Sequence, residues 1–214
     1  MMFDYEGFVI IGYYICEYTF SPLFLRDIFE KSISVSGCLC NHEPQIFLCH
    51  GWKPNGDNRE YINYFSTKEK YIKMSDEIID LLNENLFSTD GRFLRKEDAL
   101  YFYKEYFNDS KHILVSVSAK DEHIKLLGDK FNIEKNSVNE IDGEIIGYEI
   151  IGWDISGFHS FLCNSLDKEF SDIKFNSYGL LDETYSKTEQ MSFSIQGMGE
   201  PVDWIPVVLH KVKM

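Results

Sequence analysis

Residues 143–156 (Gly-Glu-Ile-Ile-Gly-Tyr-Glu-Ile-Ile-Gly-Trp-Asp-Ile-Ser) align without a gap on 8–21 (Phe-Val-Ile-Ile-Gly-Tyr-Tyr-Ile-Cys-Glu-Tyr-Thr-Phe-Ser), with six identities in 14 positions. A strand-like pattern that recurs within one chain constrains the fold more than any single motif, because each copy needs the same kind of partner to bury its apolar side chains. Later landmarks keep the same order. Leu39-Cys40-Asn41 is matched by Leu162-Cys163-Asn164, Asn83-Glu84-Asn85-Leu86-Phe87 by Asn176-Ser177-Tyr178-Gly179-Leu180-Leu181, and the strand starting at Ile113 by one starting at Ile205. The expectation is an α+β protein of two related halves, each with strands packed against helices. Residues 1–118 form the first half, with an insertion at about 32–75; 119–141 connect; 142–214 form the second half. The alternative is two α+β segments that share a hydrophobic pattern without common origin.

Local signals fill in this frame. Phe8–Cys16 is a continuous β-branched and aromatic run, suited to a strand buried on both faces. Ser21-Pro22 reads as an N-cap with proline at the first helical position, and Leu23, Phe24, Ile28 and Phe29 supply an apolar face, which predicts a helix over 21–31. Further helices are expected from Ser75 to about Asn85, from Arg95 to Phe107, in a short stretch around 121–130, and over about 157–166. Ile46-Phe47-Leu48 suggests a short strand and Lys53–Asn58 a turn. Asp76-Glu77 and Glu97-Asp98 suit first helical turns, where negative charge complements the helix dipole.

Composition enters as a limit on partners and compartment. The 214 residues include 17 Phe, 13 Tyr and 3 Trp, enough apolar area for a core without metal or disulfide support. A net charge of −14 repels phosphate and anionic lipid, so neither nucleic acid nor membrane is an expected partner, and a basic protein is favoured. Residues 1–107 carry 11 basic and 17 acidic side chains and 108–214 carry 10 and 18, so the charge is spread rather than gathered in a tail. The N-terminus has no secretory pattern, and the longest apolar run, nine residues, falls short of the about 20 that span a bilayer. A cytoplasmic, soluble protein is expected. Five cysteines (Cys16, Cys38, Cys40, Cys49, Cys163) then read as reduced thiols.

Two constellations could carry chemistry. Cys38, Cys40, His42, Cys49 and His50 are five ligand-type residues within 13 positions, but their spacing lacks the two separated knuckles of structural zinc sites, so a set of buried cysteines is preferred to a metal module. His159 lies four residues before Cys163, and a helix over 157–166 would put base and thiol on one face, as a cysteine-dependent enzyme needs. No hydrolase signature surrounds them, and packing is the simpler reading. His123 and His210 have no local partners and read as surface or sheet residues. Phosphate loops, dinucleotide fingerprints and zinc-protease motifs do not occur. No cofactor and no catalytic residue is expected.

The stretch Gly147–Asn164, followed by Phe175-Asn176-Ser177-Tyr178-Gly179-Leu180-Leu181 and closing with Glu200–Leu209, resembles a group of small bacterial proteins encoded in polymorphic-toxin and contact-dependent inhibition neighbourhoods. In that group an aromatic-Asp strand end leads into a small-residue helix ending near Leu-Cys-Asn, then an Asn-x-x-Gly-Leu segment and a final strand. This chain departs from the pattern in its N-terminal extension and in His159 and Phe161. The resemblance implies an immunity protein that binds a cognate secreted toxin domain, of which a basic nuclease is one kind, and occludes its active site without doing chemistry. Trp153, Asp154, Asn164 and Gly179 are assigned to the scaffold, leaving the partner-binding residues unknown. An acidic mimic of nucleic acid with broad targets is a third reading of the charge.

Overall fold

The computed structural model describes residues 3–37, 39, 42–43, 69–88, 90–128, 131, 143–154, 157–164 and 173–214. Four long strands carry it: β1 (Phe8–Glu17), β5 (His112–Lys120), β6 (Gly143–Asp154) and β8 (Ile205–Val212). Two short edge strands flank them, β4 (His42–Glu43) and β7 (Gly157–Ser160), while β2 (Thr19–Phe20) and β3 (Lys31–Ser32) pair separately. Among the described residues the main sheet runs β4-β1-β5-β8-β6-β7, antiparallel throughout. Helices and strands together make the class α+β.

β1 and β6 share a local device. The register slips between Ile10 and Gly12 on β1 and between Ile145 and Gly147 on β6, a bulge at the same position of the aligned segments. Each bulge lets a hairpin lie close. Tyr13 and Phe93 exchange backbone hydrogen bonds of 2.9 Å, and Tyr148 and Leu181 exchange bonds of 3.3 and 2.9 Å. The polar anchors match too: Arg92 Nη1 donates to the Ile11 carbonyl at 3.0 Å, and Asn176 Nδ2 to the Ile146 carbonyl at 2.6 Å. The landmarks read from sequence need correction here. Ser88 bonds Arg92 at 2.8 Å as Asn176 bonds Leu180 at 2.9 Å, so Ser88 and not Asn83 is the counterpart of Asn176. Leu39 precedes edge strand β4, whereas Leu162 follows β7, so those two landmarks are not counterparts.

One face of the sheet carries the helices. α1 (Glu69–Asn83) and α2 (Lys96–Tyr106) bury Met74, Ile78, Ile79, Ala99, Phe102 and Tyr106 against Ile10, Tyr13, Ile15 and Leu114. Because α1 begins at Glu69, Asp76-Glu77 falls in mid-helix; Glu97 and Asp98 do sit in the first turn of α2. A short α3 (Asp121–Ile124) follows β5. α4 (Tyr185–Ser194) packs near Ile150, Ile195 and Trp204. Sequence reading finds no helix there, because its buried positions are Thr188 and Ser192 rather than an apolar stripe; its clearest local signal is Thr184, whose side chain accepts from Lys187 N.

Two expected helices are not formed. Over 21–31 only a 3-10 turn appears, at Leu23–Leu25. Ser21 does not cap it: its hydroxyl donates to Ser32 Oγ at 3.1 Å and its N–H to the Glu30 carbonyl at 3.0 Å, so the segment doubles back. Over 157–164, the described part of the second expected helix, the chain forms β7 and a 3-10 turn at Phe161–Asn164. The open edge of β6 recruits Gly157–Ser160 as a partner, from Asp154 opposite Gly157 to Ile151 opposite Ser160, and those ladder bonds outweigh local preference. The expected strand at 46–48 and turn at 53–58 lie outside the described residues.

The other face is curled. Tyr14 and Phe158 have ring centroids 6.4 Å apart although β1 and β7 stand four places apart in the sheet, about 19 Å if it were flat. Ile11, Val115, Val117, Ile151, Val207 and Leu209 fill the curl, with Ile33 and Val35 also buried in it. Among the described residues no helix is long and apolar enough to cross a membrane.

Candidate functional site

His159 and Cys163 do not form a base–thiol pair on one helix face. His159 sits on β7, with Nδ1 2.8 Å from Glu200 Oε2 and Nε2 3.2 Å from Asp154 Oδ2, so both ring nitrogens face carboxylates. Cys163 is disulfide-bonded, which corrects the expectation of reduced thiols and removes the thiolate that nucleophilic chemistry requires. Cys16 keeps its thiol, is fully buried, and donates to the Ser34 carbonyl at 3.5 Å. Of the proposed metal set, Cys38, Cys40, Cys49 and His50 lie outside the described residues, and His42 is described only as backbone in β4.

Sequence reasoning missed two buried polar clusters inside the curl. Glu149, on β6 and 2% exposed, accepts hydrogen bonds from the Ser34 hydroxyl, from Val35 N at 3.2 Å and from the Ser160 hydroxyl. Burial pushes its carboxyl up to about 7 against the pull of those three donors. It fastens the segment at 34–35 to the second long strand pair, and its burial keeps it from bulk solvent. The only trace in the sequence is an acid inside an apolar run, Tyr148-Glu149-Ile150-Ile151. In the aligned segment its counterpart is Tyr14, whose hydroxyl lies 3.4 Å from Asp90 Oδ2. Asp90 in turn stands 3.5 Å from Arg92 Nε, and the Arg92 guanidinium covers the Phe131 ring at 4.2 Å. Among the described residues, neither Asp90 Oδ1 nor Arg92 Nε has a hydrogen-bond partner.

Outside the curl, Glu122, His123 and Glu189 bring three ligand-type atoms within 4.8 Å of one another. Lys120 already supplies a positive charge there, its ammonium 2.8 Å from Glu189 Oε1. His123 is buried on α3, contrary to the expectation of a surface or sheet residue, and burial lowers its pKa; His210 is a fully buried sheet residue held down to about 4 by burial.

Two exposed surfaces stand out. On α1 and α2, Glu77 accepts from Tyr101 at 3.1 Å and from Tyr106 at 2.9 Å, while Lys73 reaches Glu77 at 3.5 Å and Glu105 at 3.8 Å. Tyr101 is 45% exposed. On the β2–β3 finger, Phe20, Leu23 and Ile28 are exposed, with Arg26 and Lys31 over the Phe20 ring at 5.6 and 5.4 Å. Comparison with protein-family models, with curated proteins and with solved structures finds no match for this chain.

Proposed function

We propose that the protein neutralises a secreted toxin domain by binding it, an immunity protein that acts by occlusion rather than by chemistry. The observation that carries this reading is a charge of −14 spread over a folded scaffold, which complements a basic toxin surface and would speed association through long-range attraction. The resemblance of 147–164, 175–181 and 200–209 to proteins of toxin neighbourhoods supports it. The encounter is taken to be cytosolic; the bonded state of Cys163 argues the other way, because disulfides persist mainly in oxidising compartments.

The same proposal treats the chain as two related halves, 1–118 and 142–214, joined by 119–141. Support comes from the matched bulges at Gly12 and Gly147 and from the matched hairpins that bond Tyr13 to Phe93 and Tyr148 to Leu181. The test of function is direct. The C-terminal domain of the secreted protein encoded immediately upstream is purified and titrated with this chain in physiological salt. Association at micromolar concentration or below, weakening steeply with added salt, is expected; failure to associate overturns the reading.

A further inference from the structure

We propose that the exposed face of α1 and α2, centred on Tyr101 and Glu77, is the surface that receives the toxin, and that it does so by seating a lysine or arginine of the partner. The inference rests on the toxin-neutralising reading and names the surface that reading leaves open.

Three observations converge on this face. First, Tyr101 is exposed yet oriented. Its hydroxyl donates to Glu77 Oε1 at 3.1 Å and its ring stands edge-on to Phe102 at 5.4 Å and to Tyr106 at 6.5 Å. A ring already held in place loses little conformational freedom on docking, and tyrosine is among the residues that dominate interface energies. Second, the face already holds a cation of its own. The Lys73 ammonium lies between Glu77 and Glu105 and 5.9 Å from the Tyr106 ring centroid, so two carboxylates and an aromatic ring define a seat for positive charge. Glu77, the nearer carboxylate, raises the Lys73 pKa. Lys73 is 58% exposed and its contacts are long, so it is a loose occupant that a bidentate arginine can shoulder aside. Third, the described side chains of 73–84 and 95–106 include seven acids, with Asp80, Glu84, Glu97 and Glu105 exposed, against four bases, which leaves the pair of helices with the sign a basic partner needs.

The β2–β3 finger is the rival surface, since Leu23 is 78% exposed beside Phe20 and Ile28. Arg26 and Lys31 lie over its Phe20 ring and offset Asp27 and Glu30, so the finger has no net charge to attract a basic partner. Charge complementarity therefore separates two faces that exposure alone would not.

The experiment titrates the upstream-encoded toxin domain with wild-type protein and with Tyr101→Ala, Tyr101→Phe, Glu105→Lys and Leu23→Ser, after melting curves establish that each variant is folded. Tyr101→Ala and Glu105→Lys are expected to weaken binding about tenfold or more, Tyr101→Phe by less than Tyr101→Ala, and Leu23→Ser by less than about twofold. Glu105→Lys is also expected to flatten the dependence on salt. If wild type binds and both Tyr101→Ala and Glu105→Lys stay within twofold of it, or if Leu23→Ser alone abolishes binding, the assignment of this face is overturned while the toxin-neutralising reading survives. Failure of the wild type to bind at all removes both.

Discussion

Val117 and Leu209 stand opposite each other across β5 and β8, and each also stands opposite a bulge glycine, Gly12 on β1 and Gly147 on β6. The four residues make one row across the sheet that reads the same from either end. The bulges therefore lie symmetrically about the central strand pair, and the hairpin beneath each one comes close enough that a side chain at the glycine would collide with it.

Gly147→Ala is expected to destabilise the fold by about 2–4 kcal/mol, since a Cβ would lie 2.6 Å from Leu180 Cβ at a backbone φ of +148°. Gly197→Ala, at a φ of +75° with nothing within 4 Å, isolates the backbone strain and should cost about 1–2 kcal/mol. Urea denaturation of both variants measures the difference; equal losses would mean that the hairpin does not press on the bulge.

Two buried groups give stability opposite slopes with pH. Glu149 binds its proton more tightly in the fold, at about 7, than in the unfolded chain at 4.5, so its contribution falls as pH rises from 4.5 to 7 and is constant above. His210, held at about 4 against 6.5, loses stability as pH falls from 6.5 to 4. The two largely cancel between 4.5 and 6.5. Glu149→Gln should unmask the histidine, giving stability that drops below pH 6.5, by on the order of 3 kcal/mol at full extent. Chemical denaturation at pH 5, 6, 7 and 8 tests this, and an unchanged profile would refute the buried position of Glu149.

Thiol chemistry distinguishes the cysteines. In native protein without reductant, Cys163 is expected to resist alkylation and to label only after reduction, and Cys16 to label only on unfolding. Mass mapping of the modified peptides reads both. Rapid labelling of Cys163 in unreduced native protein would restore it as a candidate nucleophile.

Trp204 anchors the connection between α4 and β8: it is 1% exposed, its Nε1 donates to the Met198 carbonyl at 3.1 Å, and its backbone is bracketed by the Gln196 side chain at 2.6 and 3.1 Å. Trp204→Ala should cost about 3–5 kcal/mol and Gln196→Ala about 1–3 kcal/mol, because the latter strips partners from buried backbone groups. Thermal melts of the two variants check the ranking.

The four long strands and α2 were legible in the sequence, because an unbroken β-branched run, or an apolar face with acids in the first turn, admits few other structures, whereas the bulges at Gly12 and Gly147 emerged only from the strand registers. The charge of −14 is likewise a property of the sequence alone. Tertiary structure decided the rest. Gly157–Ser160 became a strand because β6 had an open edge to fill, and Ser21 gave up its cap for Ser32 because the chain doubles back there. α4 hides its buried face behind Thr188 and Ser192. Glu149 and Ser34, 115 positions apart, meet only because the sheet curls, and Glu77 with Tyr101 only because α1 and α2 pack side by side. Period and composition act over a few residues, whereas such contacts depend on strand pairing and packing across the whole chain.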